Sequence, residues 1–258
     1  MKDIFGVFIY EFRMGIHRKG VWLGYTLVFL FYLFAIINTG RFLETPGLST
    51  KEMWAMTALL AFMYNLFLPV IGGISAADRL VRDRSLYLEE LLRSTGMRLS
   101  GYVVGKYLGT LAAISLPVLL GILTLRIYSI FLGAPLETIG MSIVTFLVIN
   151  LPAYAFITAF SLACPLVIPT RVYQVLFIGY WFWGNFLYPG MFPTLSGTLL
   201  QASGRIPAEG WFGSVIELAT SQGFTSIEAW VNLGIITLCI SLALLAAGNY
   251  LSMERRLA

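Results

Sequence analysis

Six stretches of this chain are apolar over close to twenty consecutive residues each, and nothing constrains its fold more. A helix needs about 20 apolar residues to cross the roughly 30 Å hydrocarbon core of a bilayer. Inside that core every backbone N–H and C=O must find its partner within the protein, which leaves helices or closed barrels. The expected fold is an all-α membrane protein with six transmembrane helices. They are expected at 21–38, 53–77, 101–125, 139–164, 172–188 and 229–251. Composition agrees. Hydrophobic residues make up 58% and charged residues 12%, against about 25% charged in a soluble domain. The whole chain, 1–258, reads as one transmembrane domain.

The segments between the runs divide by charge. Residues 1–20 carry Ile4, Phe5, Phe8, Ile9, Phe12 and Ile16 at helical spacing, with Lys2, Glu11, Arg13, Arg18 and Lys19 largely elsewhere around the helix. That pattern predicts an amphipathic helix lying in the membrane interface. A cleaved signal peptide fits poorly, since no small-residue cleavage site follows the apolar core. Residues 78–100 are the most charged stretch. Residues 189–228 hold Pro189, Pro193, Pro207 and several glycines among many apolar side chains. They are too apolar for a free loop and too broken for a span, and short interfacial or re-entrant helices are expected. Of the 17 Lys and Arg residues, 13 fall on one side of the alternating runs and four on the other: Arg41, Lys51, Arg126 and Arg205. The positive-inside rule then puts both termini and residues 78–100 in the cytoplasm, and 189–228 on the far side. A bacterial or archaeal inner (plasma) membrane is the expected location.

Several functions are disfavoured. The positive residues cluster at span ends, where topology places them, so the net charge of +4 does not signal nucleic-acid binding. Cys164 and Cys239 lack C-x-x-C partners, and His17 stands alone in a basic stretch, so no metal site is expected. The centres of the spans hold Asn38, Asn65, Asn150, Gln174, Asn185 and Asn249 but no acid or base. Proton and ion pathways use such groups, as do membrane proteases. The amides are expected to join helices. No catalytic residue and no bound cofactor are expected, and no phosphate-binding G-x-x-x-x-G-K-[ST] loop is present. Trp181, Trp183, Tyr188 and Trp211 fall near span boundaries, as an aromatic belt would; lining a substrate path is the other reading.

The stretch Asp78–Gly109 reads DRLVRDRSLYLEELLRSTGMRLSGYVVGKYLG. Leu88, Leu91 and Leu92 recur at i, i+3, i+4, extended backward by Arg84 and Leu80. Glu89 and Glu90 come early and Arg93 late, as the helix dipole favours. Ser85 suits an N-cap and Thr95-Gly96 a stop. A short helix over Leu86–Ser94 is expected, with an apolar stripe that has no evident place to bury itself. A solvated charge run that only anchors topology is one reading; docking into a groove on a partner is the other. Just beyond, Gly101, Gly105 and Gly109 repeat every fourth residue, a pattern that lets helices approach closely, within one subunit or across a dimer.

Arg82, Asp83, Arg84, Ser85, Leu88, Glu89, Glu90, Leu91, Leu92, Ser94, Thr95, Arg98, Tyr102, Gly105 and Lys106, set between the second and third runs, resemble the type-2 permeases of ATP-binding cassette (ABC) transporters, the membrane subunits of bacterial exporters. The six-span layout is similar over the whole chain. Leu86-Tyr87 stand where family members often have Gly-Thr. The resemblance implies that residues 1–20 are a connecting helix and that 78–100 carry a coupling helix. The coupling contact with the ATPase would fall on Arg84, Leu86, Leu88, Glu89, Glu90, Leu91, Leu92 and Arg93. It implies two copies of an ABC ATPase subunit as partners, with ATP-Mg bound there, and a second permease copy or a related permease in the bilayer. An ATP-independent secondary carrier or a membrane scaffold is the alternative.

Overall fold

The computed structural model describes residues 2–39, 48–86, 97–214 and 223–257. These residues form helices joined by turns and loops, with no strand among them. In chain order the helices are α1 (Lys2–Ile16), α2 (Lys19–Thr39), α3 (Thr50–Tyr64), α4 (Leu68–Ala76), α5 (Arg79–Ser85), α6 (Leu99–Phe131), α7 (Glu137–Thr145), α8 (Leu151–Ala163), α9 (Thr170–Phe186), α10 (Arg205–Phe212) and α11 (Ser226–Leu257). A π-turn, Phe146–Asn150, joins α7 to α8, and a 3-10 turn, Cys164–Leu166, follows α8.

Four helical stretches are long and apolar enough to cross a membrane: Lys19–Ile36, Leu99–Phe131, Glu137–Leu166 and Ser226–Met253. The pair Thr50–Tyr64 and Leu68–Ser85, bent by 42°, supplies a fifth if it is one span. α9 has 17 residues and reaches about 26 Å, just short of the hydrocarbon core.

Both departures from straight helices have local causes. Ser49 starts α3 with a capping box: its hydroxyl accepts from the Glu52 backbone N–H while the Glu52 carboxylate accepts from that of Ser49. The helix breaks at residues 65–67, and Pro69 in the first turn of α4 has no N–H to continue the ladder. The sequence predicts one straight run over 53–77; it bends instead because buried amides take over the freed backbone groups. Asn150 Nδ2 donates to Asn65 Oδ1 at 2.7 Å and to the Ala61 carbonyl at 2.8 Å. Asn65 Nδ2 donates to the carbonyls of Ser203 at 2.8 Å and Ile149 at 3.2 Å. Trp181 Nε1 donates to the carbonyls of Asn65 and Leu66. The π-turn lies directly ahead of Pro152, where the widened turn accommodates the missing N–H.

The segment after α9 folds back into the helical body. Residues 201–209 are all buried. Gln201 Nε2 donates to the Asn185 carbonyl at 2.8 Å and to Ser203 Oγ at 2.7 Å, and Asn232 Nδ2 donates to the Gln201 carbonyl at 2.9 Å. Gly204 sits at φ +83°, and a Cβ there would lie 2.8 Å from the Ile149 carbonyl oxygen. Arg205 and Glu209, one turn apart on α10, form a buried ion pair at 2.6 Å.

The core has an aromatic centre. Tyr25 and Tyr32 of α2, Tyr64 of α3, Leu68 of α4, Ile114 and Val118 of α6 and Tyr154 of α8 pack in one cluster. Trp181, expected in a boundary belt, is fully buried between α8, α9 and α11 with Ile157, Phe177 and Ile236. Trp183 and Tyr188 are exposed, and Trp211 packs against Trp230 with ring centroids 4.8 Å apart.

Candidate functional site

The site lies where α1, α5 and the first turns of α6 meet. Its frame is the glycine repeat. Gly101, Gly105 and Gly109 occupy one face of α6, and α1 lies on that face running in the same direction. A Cβ at Gly105 would come within 2.8 Å of the Ile4 carbonyl oxygen, and one at Gly109 within 2.6 Å of that of Phe8. At Gly101 the nearest atom would be Ile4 Cγ1 at 3.2 Å. On the α1 side, a Cβ at Gly15 would lie 2.4 Å from Ala113 Cβ. Small residues on both helices thus bring backbone against side chain at van der Waals contact over three turns.

This packing divides the apolar face expected for α1. Ile4, Val7, Phe8 and Phe12 are half-buried, while Phe5 and Ile9 are exposed. It also overturns the outward placement expected of Glu11, which is buried at 3% exposure. The reason is charge. Lys106, on the same α6 face as Gly105 and Gly109, is fully buried and needs a counter-ion. Its Nζ donates to Glu11 Oε1 at 2.5 Å and also to Asp83 Oδ2. Arg79 Nη1 donates to Glu11 Oε2 at 3.2 Å, and the Tyr102 hydroxyl donates to Asp83. Lys106 Nζ lies 5.7 Å from the Tyr102 ring centroid. Two carboxylates and two cations from three helices therefore make an electroneutral, buried cluster.

A second pair extends it. Arg18, in the turn between α1 and α2, contacts both carboxylate oxygens of Asp78 at 3.1 and 3.2 Å and donates to the Ser75 carbonyl at 2.9 Å. His17 is exposed, with Nδ1 2.6 Å from the Arg13 carbonyl.

α5 carries the chain out of this cluster. The sequence predicts a helix only from Leu86 within the charged segment 78–100; the structure already forms helix from Arg79 to Ser85, because Arg79, Leu80 and Asp83 all face inward. Ser85, expected to cap the next helix, closes α5, its hydroxyl donating to the Arg82 carbonyl at 2.7 Å. Of the residues expected to contact a partner, Arg84 and Leu86 are exposed, Leu86 by 61%. Leu88, Glu89, Glu90, Leu91, Leu92 and Arg93, and with them all of the helix expected over Leu86–Ser94 except Leu86, which caps the end of α5, lie outside the described residues.

Other buried polar groups lie away from this site. Arg126 near the far end of α6 donates to Ser142 Oγ at 2.8 Å and Thr57 Oγ1 at 3.2 Å. Asn65 and Asn150 join helices as described. Asn185 Nδ2 donates within α9 to the Trp181 carbonyl while its Oδ1 accepts from the Ala202 N–H of the returning segment, and Asn38 Nδ2 donates within its own helix to the Phe34 carbonyl. Among the described residues no group of three or more His, Cys, Asp or Glu has the arrangement to hold a metal ion. The arrangement around Glu11 and Lys106 holds three helices in fixed relation. Reasoning from sequence missed Glu11, Arg79 and Lys106 as partners. The available signal was that Lys106 lies on the face of the glycine repeat, where an exposed cation has no room.

No protein-family model matches this chain, and no curated protein matches its sequence.

Proposed function

We propose that the chain is the membrane-spanning permease subunit of an ATP-driven ABC exporter, moving a substrate out of the cytoplasm with energy from a separate ATPase subunit. One observation carries this reading. Asp83 on α5 meets Tyr102 and Lys106, one turn apart on α6, in one buried cluster, and all three belong to the residues that carry the family resemblance. The cluster sits at the root of the segment read as the coupling helix, and the chain leaves it through exposed Leu86. A mere topology anchor needs only exposed cations; it has no use for two carboxylates and two cations locked in a dry junction.

On this reading both termini and residues 78–100 face the cytoplasm, α9 is the fifth of six crossings, and residues 189–228 return into the bundle from the other side. Two ATPase subunits hold the ATP-Mg, and a second permease copy or a related permease completes the path through the plasma membrane. Co-purification with an ABC ATPase tests the reading. Deleting Leu86–Ser94 abolishes ATP-stimulated transport if it is right; intact ATP-stimulated transport after the deletion rejects it. Transport driven by an ion gradient in vesicles without any ATPase favours a secondary carrier instead.

A further inference from the structure

Glu11 stands outside the segment that carries the resemblance, on another helix, yet it joins the two buried cations. Oε1 accepts from Lys106 at 2.5 Å and Oε2 from Arg79 at 3.2 Å. Lys106 in turn holds Asp83. Removing any one of the four charges leaves a net charge uncompensated in a site where Lys106, Glu11 and Arg79 are all buried. The same helix has no slack on its α6 side, where a Cβ at Gly109 would already lie 2.7 Å from Glu11 Cβ. α1 cannot slide along α6 without backbone overlap, and it cannot roll without drawing Glu11 out of the cluster.

We infer that Glu11 is a positioning residue: through Lys106 and Arg79 it makes α1, α5 and the first turns of α6 one rigid body. A push arriving on residues 86–94 then moves the amino-terminal helix together with the third span, so α1 is a moving part of the coupling train and not only a membrane anchor. The transmission half of this inference rests on the exporter reading; the rigid body does not.

The test uses the full chain in lipid nanodiscs, with Cys164→Ser and Cys239→Ser and spin labels placed through Tyr10→Cys and Leu108→Cys, both exposed positions. The decisive variant is Glu11→Leu with Lys106→Met, which removes one charge of each sign and leaves Arg79 and Asp83 to balance. Replacing buried ion pairs by apolar groups of similar volume often preserves folding. The native labels give one narrow distance distribution. The double variant broadens it, and amide exchange over residues 2–16 rises about tenfold, as loss of a charge-assisted bond produces. An unchanged distribution and unchanged exchange overturn the inference, since glycine packing and lipid alone would then hold α1. With the ATPase bound, the double variant hydrolyses ATP but moves several-fold less substrate per ATP. Native coupling despite a loosened α1 overturns the transmission half. A native complex without ATP-dependent transport contradicts the exporter reading and leaves the rigid body standing.

Discussion

At Gly109 the α6 backbone passes so close to α1 that a Cβ would meet the Phe8 carbonyl oxygen at 2.6 Å and Glu11 Cβ at 2.7 Å. Backbone cannot yield as a flexible side chain can, so Gly109→Leu must push α1 away and pull Glu11 from Lys106. Overpacking of this kind costs about 1–3 kcal/mol, and the thermal midpoint in detergent falls accordingly. Gly6 provides the contrast. It lies inside α1 with nothing within 4 Å of a Cβ. Gly6→Ala therefore stabilises α1 by roughly 0.5–1 kcal/mol through helix propensity alone, read as slower amide exchange over residues 2–16. The spacing of Gly101, Gly105 and Gly109 made close approach legible, but not the identity of the neighbour. Glu11 and Lys106 are 95 positions apart. Counting apolar residues around α1 put Glu11 on the wet side, because a buried counter-ion outweighs hydrophobic periodicity only once the other helix is in place.

Among the elements, the bent α3–α4 pair depends most on single side chains. Asn65 accepts from Asn150 and donates to the Ile149 and Ser203 carbonyls, so it ties the break to the π-turn and to the returning segment. Asn65→Ala strands these groups away from water at about 1–3 kcal/mol for each one left unpaired. Amide exchange then quickens over residues 61–68 and 199–209, while residues 2–16 keep native protection. Gly204→Ala affects the same region by another route, since φ +83° is unfavourable for a side chain and the new Cβ overlaps the Ile149 carbonyl. Segment 199–209 then exchanges faster, and because the Cβ would also lie 3.1 Å from Asn65 Nδ2, residues 61–68 lose protection with it. From sequence, Asn65 and Asn150 were recognisable as amides that join helices, since unpaired amides are expensive in an apolar medium. The bend was not recognisable, because Pro69 and Asn65 are each compatible with an unbroken span. Nor was the burial of residues 201–209, whose composition resembles a loop until the Asn185 carbonyl is seen to accept from Gln201 Nε2 and Asn232 Nδ2 to donate to the Gln201 carbonyl.

For the molecule as a whole, long apolar runs translate directly into long helices, because a chain with so little polar surface has few other ways to satisfy its backbone. That is why α2, α6 and α11 were legible in outline. Their partners were not, since lipid-facing and protein-facing apolar side chains look alike in sequence. The exporter reading turns on a short apolar stripe beyond exposed Leu86. Leu91→Asp together with Leu92→Asp should leave the fold intact and uncouple ATP hydrolysis from transport, because charge on the stripe blocks docking into an apolar groove. The most direct measurement is a photo-reactive amino acid at Leu91 in the native membrane, with the crosslinked product identified by mass spectrometry. The account predicts an adduct with an ABC ATPase, formed from the cytoplasmic side and lost when Leu92→Asp is added. Reaction only with lipid or water, or labelling of that position solely from outside the cell, would contradict it.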